Sequence, residues 1–150
     1  MQIGICDEGE ELAMADVIRK VAYFAMGVAD KPGEAARVLA ALADAGVNLL
    51  AFSGFPRGRK AQLDFIPEDG RAFKAAARKA KIMTRPQRFG FLIQGADRRG
   101  AVAEILRMLA DKAINVTAID AIASGTGRYG AILWVKPKDL NKAAKALGTK

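Results

Sequence analysis

Apolar positions along the chain switch between two periods, and the switches mark the elements. Val17, Ile18, Val21, Tyr23, Phe24 and Val28 combine β-branched, aromatic and aliphatic side chains and predict a strand over residues 17–28. Beyond Asp30 the spacing becomes three-four: Ala35, Val38, Leu39 and Leu42 form one stripe, while Glu34, Arg37 and Asp44 fall elsewhere on the wheel. Pro32 suits a first helical turn and Gly46 a stop, so a helix is expected between them. Apolar residues are then almost continuous over 47–55. Pro56-Arg57-Gly58-Arg59 supplies turn chemistry, and Leu63 and Phe65 alternate with Gln62 and Asp64, which together predict a hairpin. Pro67-Glu68-Asp69-Gly70 opens a second helix with Phe73, Ala76, Ala77 and Ala80 facing inward, and Ile82-Met83 is expected as a short closing strand before Pro86. The order is β-α-β-β-α-β.

The pattern then returns. A strand over 89–95 precedes a helix over 100–113 with the stripe Val102, Ile105, Leu106 and Leu109. A strand over 115–123 follows, Gly125-Thr126-Gly127 turns the chain into a strand over 131–135, and after Pro137 a helix carries Leu140, Ala143, Ala144 and Leu147. With a shift of 67 positions, residues 29–51 and 96–118 share 10 identities in 23 positions. This density marks an internal repeat. The expected fold class is α+β, two tandem ferredoxin-like βαββαβ sandwiches over 17–86 and 87–150 behind an N-terminal extension over 1–16. Lys150 comes too soon for a closing strand in the second copy. Either that sheet lacks one or another segment supplies it, with Gln2 to Cys6 as the candidate.

Residues 131–135 are apolar at every position, and Leu49, Leu50, Ala51 and Phe52 alternate apolar with apolar. Successive strand side chains point to opposite faces, so both faces of such a strand demand cover. That cover is expected from the other copy or from another chain, which favours a homodimer or larger assembly.

Composition narrows the chemistry. One cysteine, Cys6, excludes an intramolecular disulfide, and with no histidine the usual zinc and haem ligand sets are absent; neither a metal nor a cofactor is expected. No apolar run approaches the roughly 20 residues of a membrane span, and acids stand where a secretory signal carries Lys or Arg, so the expected compartment is the cytoplasm, without a membrane partner. The formal charge of +8 is uneven. Residues 1–20 hold two basic and five acidic side chains, and the remainder holds 22 basic against 11 acidic. A basic body invites nucleic acid, but a soluble surface with Lys-rich helix faces accounts for it more simply.

Asp30-Lys31-Pro32-Gly33-Glu34, followed by residues 38–49 (VLAALADAGVNL), resembles the ACT domain, and both copies share the likeness over roughly residues 20–150. The resemblance implies a small ferredoxin-like regulatory module that binds an amino acid, with ligands held at interfaces between paired domains. The second copy departs from the motif: Arg99 stands where the family usually has Pro, and Ala113 where it usually has Gly. The site residues implied are Asp30, Pro32, Gly33 and Asn48 in the first copy, and Asp97, Gly100, Ala101 and Asn115 in the second.

Elementary chemistry points the same way. A helix N-terminus offers unpaired N–H groups and the positive end of a dipole, a seat for a carboxylate. Asp30 or Asp97 beside it can accept from an ammonium group, so the pair reads a zwitterion. Asn48 and Asn115 offer donor and acceptor at the next strand. The competing reading is that both aspartates cap their helices and both asparagines finish the preceding ones.

Two other classes fit the sequence less well. An RNA-recognition sheet needs aromatics within a Lys/Arg-Gly-aromatic signature; Phe65 and Trp134 lie on suitable strands, but the signature is missing. An acylphosphatase-like enzyme would use an Arg and an Asn such as Arg98, Arg99 and Asn115, but the first copy has Lys31 and Pro32 there and no Gly-rich phosphate cradle. The expectation is a non-catalytic regulatory protein that binds a small amino-acid-like ligand and changes its assembly or its contacts with a protein partner. The alternatives are a structural dimerisation module with vestigial sites, or a basic ferredoxin-like nucleic-acid-binding protein.

Overall fold

A computed structural model describes residues 16–149 of the protein. The strand considered for Gln2 to Cys6 lies outside the described residues. The fold is α+β, and the chain divides into two compact units. A central unit is continuous, Val21–Phe89; a split unit joins the residues up to Lys20 with Gly90–Lys150.

In the central unit β1 (Val17–Ala29, from Val21 onward), α1 (Glu34–Asp44), β2 (Leu49–Arg57), β3 (Lys60–Pro67) and α2 (Gly70–Lys79) follow in order. β3 lies between β1 and β2, antiparallel to both, with Phe65 opposite Phe24 on one side and Phe52 on the other. Both helices bury their stripes on one face of this sheet. Val38 and Leu42 of α1 and Phe73, Ala76 and Ala77 of α2 meet Phe24, Met26, Leu63 and Phe65. Phe73 stacks on Phe24 at 4.5 Å between ring centroids, an arrangement that adds to the apolar burial. Ala80, expected inside, is exposed because the helix has already ended. Asp69 caps α2, its carboxylate accepting from the N–H groups of Arg71 (2.8 Å) and Ala72 (3.2 Å).

Two details correct the pattern-based reading. Pro32 is not in the first turn of α1: Gly33 is the N-cap, in the left-handed region at φ 91°, and the helix begins at Glu34. Ile82-Met83 forms no strand. The Ile82 N–H is used by the C=O of Ala77 (2.8 Å) to finish α2, and Pro86 has no N–H to give, so one bond from the Arg85 N–H to the Ala25 C=O (2.8 Å) replaces a ladder. The Ile82 side chain still reaches the core.

The split unit repeats the order with β4 (Arg88–Ala96, from Gly90 onward), α3 (Ala101–Ala110), β5 (Val116–Ala123), β6 (Arg128–Val135) and α4 (Leu140–Ala146). β6 lies between β4 and β5, antiparallel to both. Phe91, Ile93, Ile105, Leu109 and Leu133 form its core, with Ala143 and Leu147 from the last helical segment. The first residues of β1 belong to this unit: Ile18 packs on its core, and the Arg19 guanidinium donates to the Gln94 carboxamide at 3.5 Å. All of Ala131, Ile132, Leu133, Trp134 and Val135 are buried within the single chain. The two-faced strand therefore makes no demand for a second chain.

Candidate functional site

The registers place the first corner. Lys60 stands opposite both Ala29 and Arg57, so the end of β1, the end of β2 and the start of β3 meet at one end of the sheet, where α1 begins. A cleft of about 290 Å³ opens there, lined by Val28, Ala29, Asp30, Lys31, Glu34 and Ala35 from the first strand-helix corner and by Phe52, Gly54, Phe55, Pro56, Ala61 and Leu63 from the hairpin. This is close to the lower bound of small-ligand sites. No side chain caps α1, so the capping reading fails for Asp30, whose exposed carboxylate stays out of the helix's hydrogen bonding. Glu34 is engaged by Arg37 at 3.3 Å. Gly33 supplies the positive φ of the turn; a Cβ there would meet nothing within 4 Å, so conformation rather than close approach explains glycine.

The second corner has the same backbone and different contents. Gly100 is the N-cap of α3 at φ 79°, again with no side-chain cap, and Asp97 is exposed with its N–H bonded to the Gly127 C=O at 2.9 Å. Ala101 is buried in the core. Arg98 fills the corner. Its guanidinium makes two parallel bonds of 3.1 Å to the Asp16 carboxylate, a third of 2.6 Å to Glu104 and a fourth of 3.2 Å to the Ala96 C=O. This is the fork geometry that makes Arg-carboxylate pairs specific. The bonds to Asp16 first, then to Glu104, raise the Arg98 pKa further above its ordinary value. Space for Asp16 exists because residue 95 is glycine: a Cβ on Gly95 would lie 1.9 Å from the Asp16 Oδ1. The neighbouring Tyr129 hydroxyl is buried without a hydrogen-bond partner among the described residues. Its burial, with the Asp16 carboxylate beside it, pushes its pKa up to about 12.

Neither asparagine joins its aspartate. β2 runs from Leu49, opposite Pro67, to Arg57 at the cleft end, so Asn48 sits at the far end of the sheet, roughly 25 Å away at about 3.3 Å per residue. There its carboxamide donates to Glu68 at 3.3 Å. Asn115 precedes β5, whose first residue, Val116, faces Val135, and Asp97 lies at the opposite end beside Gly127. The asparagines do not cap helices either: Gly46 (φ 78°) and Ala113 (φ 55°) take the left-handed turns that end α1 and α3. Pattern reasoning missed Lys31, Glu34, Phe52, Phe55 and Asp16. For the two phenylalanines a signal existed, since two large aromatics stand near the end of a strand that the turn at Gly58 closes; for Asp16 none did, because its partner is 82 positions away.

Among the described residues no three His, Cys, Asp or Glu side chains gather as a metal site, and no helix is long and apolar enough to cross a membrane. The ACT domain family model matches residues 23–83, inside the central unit. Among solved structures, a protein from Bacteroides thetaiotaomicron is 19% identical with a TM-score of 0.69, covering 89% of this chain and 88% of that one. The ligand-free regulatory subunit of aspartate kinase from Thermus thermophilus is 20% identical with a TM-score of 0.59, covering 91% and 97%. A structure of aspartokinase alpha and beta subunits gives 20% and 0.58, covering 90% and 95%. At these identities the likeness concerns the fold. No curated protein matches the chain.

Proposed function

We propose that the protein is a non-catalytic regulatory module whose central unit binds a small amino-acid-like ligand in the Asp30 cleft. One observation carries this reading: an open cleft at the start of an uncapped helix, with a carboxylate at its rim that the helix does not use. The ammonium group of the ligand pairs with Asp30. Its carboxylate faces the first-turn N–H groups of α1 and the Lys31 ammonium. The match of the ACT domain model to residues 23–83 supports it, as does the fold shared with an aspartate kinase regulatory subunit.

Asn48 enters only through assembly. It lies at the far end of its own sheet, so a ligand that touches Asp30 and an asparagine of this type takes the latter from a domain of a neighbouring copy, which makes a homodimer the regulated species. The ligand then shifts assembly by its differential affinity for the arrangement it bridges. We assign the split unit to the same family as a second tandem copy with a structural role, because Arg98 and Asp16 already fill its corner.

Thermal-shift measurements with each of the twenty amino acids test the proposal. A ligand at 100 times its dissociation constant stabilises by about 2.7 kcal/mol, a rise of roughly 5–10 °C for a chain of this size. Asp30→Ala removes the rise, whereas Asp97→Ala keeps it. A flat response to all twenty overturns the assignment in favour of a structural dimerisation module.

A further inference from the structure

We infer that the ligand of the Asp30 cleft is an α-amino acid with an apolar side chain, and that Gly54 sets how large that side chain is; this rests on the cleft being the ligand site. The charged groups of the cleft, Asp30, Lys31 and Glu34, all belong to the corner where α1 begins, and every residue that the hairpin contributes lacks a polar side chain. The two ends of the cleft thus differ in kind. One matches a zwitterionic head group, and the other offers nothing to a charged, amide or hydroxyl side chain in exchange for its water.

Phe52 makes the second end attractive to hydrocarbon. It is 39% exposed, unusual for phenylalanine, and its ring is held by a tilted contact with the buried Phe65 at 5.5 Å between centroids. Phe55 borders the cleft three positions on, where the pleat turns its side chain to the other face of the sheet. An aliphatic or aromatic side chain laid against Phe52 removes apolar surface on both sides from water. Gly54 follows two positions after Phe52, on the same face. A Cβ built there lies 3.4 Å from a Leu63 methyl and 3.7 Å from the edge of the Phe52 ring, ordinary contacts on the cleft's own wall. Glycine here leaves open space that any side chain would occupy, and an alanine is sterically admitted.

The test is titration calorimetry on the full chain with L-leucine, L-isoleucine and L-phenylalanine against L-alanine, L-aspartate, L-lysine and L-threonine, repeated with Gly54→Val and the milder Gly54→Ala. Each buried methylene is worth about fourfold in affinity, so leucine is expected to bind roughly 50-fold more tightly than alanine. Gly54→Val weakens leucine and phenylalanine by tenfold or more and leaves alanine unchanged, with Gly54→Ala intermediate. If aspartate, lysine or threonine binds most tightly and Asp30→Ala abolishes that binding, the apolar specificity is overturned while the cleft remains the ligand site. If none of the seven binds, the apolar specificity falls, and the cleft reading falls with it only where the thermal-shift response to all twenty is also flat. Equal weakening of every ligand by Gly54→Ala also overturns the role given to Gly54.

Discussion

The two strand-to-helix corners have nearly the same backbone: each helix starts from a left-handed glycine, Gly33 or Gly100, with an aspartate three positions earlier and no side-chain cap. Among the residues that differ between them, one of different reach decides how each corner is filled. Lys31 carries a point charge on a flexible stem, and its corner is an open cleft; Arg98, its counterpart 67 positions on, carries a planar fork that holds Asp16 and Glu104. A repeated motif can thus keep its geometry and divide its roles. One corner stays open, and the other has taken in the protein's own carboxylates.

Removing the two carboxylates in turn separates the corners most clearly. Asp16→Ala leaves Arg98 half-buried and short of its main partner, and is expected to destabilise by about 2 kcal/mol, less than a fully buried pair because the guanidinium keeps partial access to water. Asp30→Ala is expected to change stability by less than about 0.5 kcal/mol, since that carboxylate is exposed. Denaturant unfolding of both variants reads the difference. Equal losses would mean that both aspartates are structural.

A second effect is specific to the filled corner. The folded state holds the Tyr129 proton more tightly than the unfolded chain, so the stability it contributes is complete below pH 10 and is lost as pH rises towards the folded value of about 12. Linkage gives a loss of about 1.4 kcal/mol per pH unit in that window. Comparison with Tyr129→Phe, which lacks the slope but shares every other titration, isolates it. The smallest effect concerns the end of α3. Ala113 occupies φ 55°, where the equivalent residue of α1 is Gly46 at φ 78°, and relief of that strain, less the added freedom of glycine in the unfolded chain, makes Ala113→Gly stabilising by about 0.5 kcal/mol. Thermal unfolding measures it.

The sequence made the element order legible because the stripes that define it, such as Val38 with Leu42 and Ile105 with Leu109, are local. It also gave Asp30 and its glycine a place at the start of a helix. It did not show that Asn48 stands at the other end of the sheet, because the motif's 18-residue spacing counts chain and not distance, and α1 carries the chain back along the strands before β2 begins. Nor did it show the filled corner: Arg98 advertises a cation, but only tertiary structure brings Asp16 to it, through a gap that Gly95 leaves. The absent closing strand had a local cause that escaped pattern reading. Ile82 has strand-like chemistry, and its N–H was already spent on the end of α2.

Because Asp16 and Arg19 belong to the split unit while their partners Arg98 and Gln94 lie 82 and 75 positions later, the central unit is nested inside the other. On the ribosome the nested part has all its internal contacts once Phe89 has emerged, while the residues up to Lys20 must wait for the rest of the outer part. Closing so long a loop costs more entropy than closing a short one, and folding the nested part first shortens the loop that remains. Synthesis therefore runs from one end of the chain to the other, while assembly runs from the inside outwards.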